Sequence, residues 1–310
     1  MVRLGRPSRR MEPKLFPVRV TITSLLTLLV VLVALNAVGS LVLLRSPSIS
    51  NPTTTDTPAV VKPSQLCFIT SVFGPPDVTT DRPPDVSDWE DVHDVSFFVF
   101  TNRPDLEAPG GWQLLLQPDL PYQRYITQSR WGKFLSWKDP TIQQTCRVGF
   151  YMDGYVRPNA TSVESFRTLS DQILVRGLAQ VKHPKLGGLK GELQRIVIHG
   201  KDNVEHVNRT IQWLHKQPDF SWNCTLYENT FFGFDPKNVI FQQATTFFWD
   251  HYSLEEDSWR DQPLWCYVLD HYHYEPLRIP YSQGNYELFE RDLERLGHGG
   301  HRYIRDEGSN

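Results

Sequence analysis

The sequence predicts an α/β domain with a mostly parallel sheet flanked by helices, carried behind an N-terminal transmembrane helix. Three observations lead to that reading. Short apolar runs, such as 66–73 (LCFITSVF) and 95–100 (VSFFVF), end abruptly in turn residues, as strands buried on both faces do. Helical patterns separate several of these runs, and strands alternating with helices favour a parallel sheet. Residues 20–44 carry no charge. At about 1.5 Å per residue, such a segment crosses a bilayer with some tilt.

The predicted elements follow in order. Strand 66–73 is closed by Gly74-Pro75-Pro76, and a Pro- and Asp-rich loop covers 77–94. Strand 95–100 stops at Thr101-Asn102-Arg103-Pro104, and 112–117 is a third strand. Residues 127–137 (TQSRWGKFLSW) have a helical pattern that Gly132 weakens. Strand 147–152 comes next, and 162–181 reads as a helix capped by Ser162. Residues 193–198 fit a strand or a helix segment, 204–216 an amphipathic helix, and 225–234 (TLYENTFFGF) a strand. Helices are expected over 239–252 and 258–269, and a last charged helix over 285–296 is stopped by Gly297.

Arg3, Arg6, Arg9, Arg10, Lys14 and Arg19 precede the apolar span, while Arg45 and Lys62 alone follow it before the folded region. The positive-inside rule therefore puts the N-terminus in the cytosol. The expected layout is a cytosolic tail over 1–19, a signal anchor over 20–44, a stem over 45–64, a luminal domain over 65–305 and a tail over 306–310. The stem's Ser, Thr and Pro cannot build a packed core. Three glycosylation triplets agree with a lumen: Asn159-Ala160-Thr161, Asn208-Arg209-Thr210 and Asn223-Cys224-Thr225. Cys67, Cys146, Cys224 and Cys266 all follow the span, and two disulfides are expected by any of three pairings. The absence of any Cys-x-x-Cys pair argues against a zinc site. A net charge of −3 and no basic patch interleaved with aromatics argue against nucleic acid.

The stretch 146–158, CRVGFYMDGYVRP, is the most informative. Its apolar strand stops at Asp153-Gly154, and open α/β sheets keep their ligand chemistry at the C-terminal ends of strands. Asp-Gly between apolar runs is equally a hairpin signal. Upstream, Arg130 and Lys133 share one face of a helix. Downstream, Glu228 and Asn229 interrupt an apolar strand and need polar partners. Ser258-x-x-Asp261 ahead of an apolar run reads as a capping box, with Pro263 in the first turn. His271 and His273 alternate with tyrosines, so their imidazoles share one side of an extended segment.

The order RWGKFLSW, FYMDGYVRP, ENTFFGF, SWRDQPLWCYVL resembles a glycosyltransferase-like family of plant and algal proteins that includes the mucilage-related and turgor-regulation-defect proteins. In that family an Arg-x-x-Lys helix precedes a strand ending in Asp-Gly. An acidic-Asn pair on a strand and an Arg-Asp-Gln helix start follow. The matching positions are Arg130 and Lys133, Asp153 and Gly154, Glu228 and Asn229, and Arg260, Asp261 and Gln262, spread over residues 66–275.

The resemblance implies a GT-A-like, Rossmann-type fold, a nucleotide-sugar donor and a glycan, glycoprotein or glycolipid acceptor. With the anchor, it implies a Golgi or endoplasmic reticulum membrane enzyme. Arg130 and Lys133 would then clamp the donor diphosphate, with Gly154 and Asn229 also lining the donor site. Asp153 would hold Mn2+ or Mg2+, or the donor ribose, and His271 would be a further metal ligand. Asp261 would be the base that activates the acceptor hydroxyl, and Glu228 the second catalytic carboxylate. The common Asp-x-Asp metal motif reads Tyr151-Met152-Asp153 here, so its first carboxylate is missing. A membrane-tethered carbohydrate-binding protein, or an inactive transferase relative, is the alternative.

Overall fold

The computed structural model describes residues 64–75, 82–183, 188–279 and 293–295. The expected cytosolic tail, span and C-terminal tail lie outside these residues, as does the stem apart from Ser64. Among the described residues no helix is long and apolar enough to cross a membrane.

Nine strands are described: β1 (Ser64–Val72), β2 (Val95–Thr101), β3 (Trp112–Leu116), β4 (Cys146–Met152), β5 (Val156–Pro158), β6 (Leu178–Lys182), β7 (Tyr227–Phe234), β8 (Leu277–Ile279) and β9 (Leu293–Arg295). The helices are α1 (Tyr125–Phe134), α2 (Pro140–Thr145), α3 (Val163–Arg176), α4 (Gly188–Ile198), α5 (Val204–Lys216), α6 (Val239–Tyr252) and α7 (Asp261–His271). Seven strands form one sheet in the order β3-β2-β1-β4-β7-β6-β8. Strand β7 runs antiparallel to β4 and β6, while the other neighbours in this sheet pair in parallel. The sheet is therefore mostly parallel and flanked by helices, as the sequence predicts. Strands β5 and β9 pair as a separate ribbon.

Strand alternation divides the apolar residues between two cores. On β1 and β4, Leu66, Phe68, Val148, Phe150 and Met152 face a layer containing Trp89 together with Phe166 and Ile173 of α3. Cys67, Ile69 and Tyr151 face the other layer, with Phe134 of α1, Phe248 of α6 and Trp265 of α7. Phe68 anchors the first layer, with Trp89, Phe97, Phe150 and Phe166 ring centroids at 5.1, 5.2, 5.5 and 5.0 Å. Helix α1 sits close to the sheet because of Gly132. A Cβ there would lie 2.2 Å from Ser71 Oγ and 2.8 Å from Phe100 Cβ. The residue that weakens the helix by propensity is the one that lets it dock.

Several expected elements take a different form. The helix expected over 162–181 ends at Gly177, whose φ of +82° gives the left-handed stop that glycine supplies cheaply. Leu178–Lys182 then becomes β6, buried between β7 and β8. Ser162 holds the N-cap position without a side-chain bond. Residues 193–198 belong to helix α4. Within the charged helix expected over 285–296, residues 293–295 are strand β9, and the remainder lies outside the described residues. Two disulfides form, Cys67–Cys146 between neighbouring strands β1 and β4, and Cys224–Cys266 between the approach to β7 and helix α7.

Candidate functional site

Strand β1 is flanked by β2 on one side and β4 on the other, so the chain reverses its direction of travel across the sheet between them. Ligands of open α/β sheets bind outside the C-terminal ends of the strands at such a switch point. Asp153 is the first residue beyond β4. Two-residue periodicity puts it on the same face as Tyr151, which is the face covered by α1. Its backbone N–H donates to Thr230 O of β7 (2.8 Å), and Val156 N closes a turn onto Asp153 O (2.8 Å). The Asp-Gly pair is thus a turn, but not a hairpin, because β4 pairs with β1 and β7 whereas β5 pairs with β9.

Lys133 of α1 lies between two carboxylates. Its Nζ is 3.3 Å from Asp153 Oδ1 and 3.2 Å from Asp261 Oδ2, and its side chain is 2% exposed. The ammonium also sits over the Tyr151 ring, 5.1 Å from the centroid. Tyr151 OH donates to Asp153 Oδ1 (3.2 Å), so the residue standing where Asp-x-Asp has its first carboxylate supplies a hydrogen-bond donor instead. Arg130 Nε comes within 2.9 Å of Asp261 Oδ2. That contact is an ion pair off the N–H axis, since neither atom has an aligned hydrogen-bond partner.

A chain of hydrogen bonds holds Asp261 from behind. Trp265 Nε1 donates to Gln180 Oε1 (3.0 Å), Gln180 Nε2 to Asn229 Oδ1 (3.0 Å), and Asn229 Nδ2 to Asp261 Oδ1 (3.1 Å). An indole N–H only donates and a carboxylate only accepts, so both ends of the chain fix the two amides in the same sense. Asn229 reaches this position from a bulge. Gln180 pairs with Phe232 but Val181 pairs with Glu228, which leaves Asn229, Thr230 and Phe231 unpaired with β6. Bulges commonly re-aim side chains beside functional sites.

The electrostatics follow from this packing. Burial alone would raise the Asp261 pKa. The Lys133, Arg130 and Arg260 charges and the Asn229 bond outweigh it and hold the carboxyl far below its ordinary range. For Lys133, burial and then the neighbouring Arg130 charge lower the pKa, with both carboxylates opposing. Burial works against the Arg130 charge too, but Asp261 and Asp153 more than compensate and its pKa rises. Burial, with Asp153 next to it, raises the Tyr151 pKa and keeps the phenol protonated.

The structure therefore brings together Arg130, Lys133, Asp153, Asn229 and Asp261. Gly154 lies in the turn after Asp153, with room for a Cβ, whose nearest neighbour would be Arg82 O at 4.0 Å. Glu228 is buried on β7 beside Asn229. Two of the expected residues have partners within the protein. Asp261 gives one oxygen to the Asn229 bond and turns the other to two cations. His271 does not join Asp153. It ends α7, about 15 Å along the helix from Asp261, and pairs with Asp219 at 2.5 Å while stacking on Phe247. The expected capping box is also absent. Arg260 is the N-cap of α7, and Ser258 Oγ instead donates to Asp202 Oδ2 (2.6 Å).

Tyr151, Gln180 and Trp265 were not expected to contribute. Gln180 lies within the helix expected over 162–181, and Trp265 within the one expected over 258–269. A cavity of about 250 Å3 lined by Thr225, Tyr227, Asp270, His273 and Tyr274 lies towards the far end of α7, away from the Lys133 cluster.

The residues present do not fit a resident divalent cation. Lys133 already occupies the space between the two carboxylates, and Arg130 adds a second positive charge. Asp153 Oδ1 takes both the Lys133 and the Tyr151 contacts. The described residues also include no group of three or more His, Cys, Asp or Glu side chains placed to hold a metal. Hard cations require several oxygen ligands.

No family model and no curated protein matches the chain. The resemblance to the plant and algal family therefore rests on motif order alone. Among solved structures the chain is similar to core-mannan synthase A from Aspergillus fumigatus in its Mn/GDP form, at 11% identity over 73% of this chain and 78% of that one, with a TM-score of 0.38.

Proposed function

We propose that the chain is a membrane-anchored glycosyltransferase that moves a sugar from a nucleotide-sugar donor to a hydroxyl of a glycan or glycoconjugate. The observation that carries this reading is the buried cluster of Arg130, Lys133, Asp153 and Asp261 beyond the C-terminal end of β4, at the switch point of the sheet. In the transfer, the acceptor oxygen bonds to the anomeric carbon as the bond from that carbon to the donor diphosphate breaks. The nucleoside diphosphate leaves with the bonding electrons, and its departing oxygen takes up the hydroxyl proton. Negative charge grows on the leaving group, and preorganised positive charge lowers that barrier. Arg130, whose guanidinium lies against Asp261 with 12% of its side chain exposed, is suited to this role. Asp153 Oδ2 is suited to a ribose or sugar hydroxyl, and Asp261 positions the two cations. Glu228 pairs across the sheet with Val181 of the opposite layer and is given no part in this cluster.

The uncharged segment 20–44 and the arginines before it support a type II anchor. The two disulfides support an oxidising lumen, Golgi or endoplasmic reticulum. The test is release of nucleoside diphosphate by the detergent-solubilised full chain from a panel of nucleotide sugars. Turnover of one donor, abolished by Arg130→Ala and reduced by Asp153→Ala, is expected. Glycan binding with no turnover of any donor would instead support the carbohydrate-binding alternative, which the committed state of Asp261 favours.

A further inference from the structure

We infer that this site seats a nucleoside diphosphate with the chain's own cations and no resident divalent metal, Lys133 standing between the two carboxylates where such an ion would bind. The inference rests on the donor-site reading above and adds the source of the positive charge. Two cations converge on two carboxylates. Lys133 and Arg130 touch Asp261, and Lys133 also touches Asp153. Formal addition of +2 and −2 leaves this cluster neutral before any ligand arrives, so its own cations already do the work a divalent ion would do there.

The geometry that remains for an anion lies with the two guanidinium groups. Arg130 Nε faces Asp261 Oδ2 at 2.9 Å off the hydrogen-bond axis, and Arg260 Nε is buried without an aligned partner while its guanidinium lies over the Trp259 ring, 5.0 Å from the centroid. A buried guanidinium without an aligned acceptor is costly, and two oxygens of a tetrahedral phosphate match its planar fork. Lys133 is too deeply buried to be the main ligand contact, at 2% exposure. Its role is to neutralise Asp153 and Asp261, which would otherwise repel a diphosphate. A divalent ion would have to displace it, leaving a buried ammonium beside the new charge.

The test is titration of the detergent-solubilised full chain with uridine and guanosine diphosphates by calorimetry, once in excess chelator and once in Mn2+, alongside Mn2+ alone. The expected result is binding of at least one nucleotide with affinities within roughly threefold between the two arms, and no thermal shift from Mn2+ alone. Tightening beyond roughly threefold in Mn2+, or saturable Mn2+ binding to the free protein, overturns the inference while leaving the donor site intact. Failure of both nucleotides in both arms defeats the donor-site reading itself and this inference with it. Arg260→Gln should weaken binding in chelator by roughly tenfold, as loss of a charged phosphate contact does, and an unchanged affinity removes Arg260 from the site.

Discussion

Asp261→Asn keeps the shape of the side chain and removes its charge. Arg130 Nε at 2.9 Å and Lys133 Nζ at 3.2 Å would then have only Asp153 to balance them. Removing one member of a buried ion pair costs about 3–5 kcal/mol. Asp153 still stands 3.3 Å from Lys133, and the Arg130 side chain keeps 12% of its exposure, so the lower end applies, about 3 kcal/mol. For a domain of this size that corresponds to a fall in Tm of about 6–12 °C. Urea unfolding followed by tryptophan fluorescence at neutral pH measures it. The pH dependence has a definite sign. The folded-state pKa of Asp261 is depressed below its ordinary 3.8, so its contribution is complete above that value and is lost as pH falls through the folded value. The gap between wild type and Asp261→Asn should therefore narrow below about pH 4 and stay level above it. Adding Lys133→Met removes one stranded cation and should recover at least about 1 kcal/mol relative to additivity. A neutral-pH loss below about 1 kcal/mol, or strict additivity in the double variant, would refute the view of this cluster as mutually dependent charges.

Gly132→Ala sets two effects against each other. Helix propensity favours Ala by about 1 kcal/mol, but a Cβ 2.8 Å from Phe100 Cβ forces α1 off the sheet, so a net loss of about 1–3 kcal/mol is expected by thermal denaturation. Trp265→Phe leaves Gln180 Oε1 without its buried donor, and a loss of about 1–3 kcal/mol with weaker nucleotide binding should follow; unchanged binding would show that the amide chain does not position the site. Non-reducing peptide mapping should recover the 67–146 and 224–266 linkages and no others. Replacing Cys224 and Cys266 together by Ser, with a sequence separation of 42, should cost about 4 kcal/mol in the chain-entropy picture, read from the shift in urea midpoint.

The half of the sheet on the β1 side was legible in the sequence because its strands are uninterrupted apolar runs with clear stops. Asp153 was legible for the same reason, as a carboxylate at an abrupt strand end. The other half was harder to read. Leu178–Lys182 follows a helix with no loop, separated from it by Gly177 alone, and its apolar run continues the helical pattern. Arg130 and Lys133 were legible as a pair three residues apart, but their partner was not. Asp261 comes from an element 128 residues beyond Lys133, and nothing local distinguishes an ion-paired carboxylate from a cap or a base. Gln180 and Trp265 are ordinary buried residues until the fold lines up their amide and indole, so no signal in the sequence marks them.

The bulge in β7 has a consequence for what the chain can tolerate there. In a regular strand Tyr227 and Phe231, four residues apart, would face the same way. They face opposite layers, Tyr227 with Trp265 and Phe231 with Phe166. An odd number of extra residues inverts the in-and-out parity of everything before it. Length is therefore specified over 229–231 independently of identity. Substituting half-buried Thr230 alters one side chain, whereas deleting it would turn the whole segment upstream of the bulge over, taking Tyr227 out of its layer. Deletion of Thr230 should be far less tolerated than its substitution.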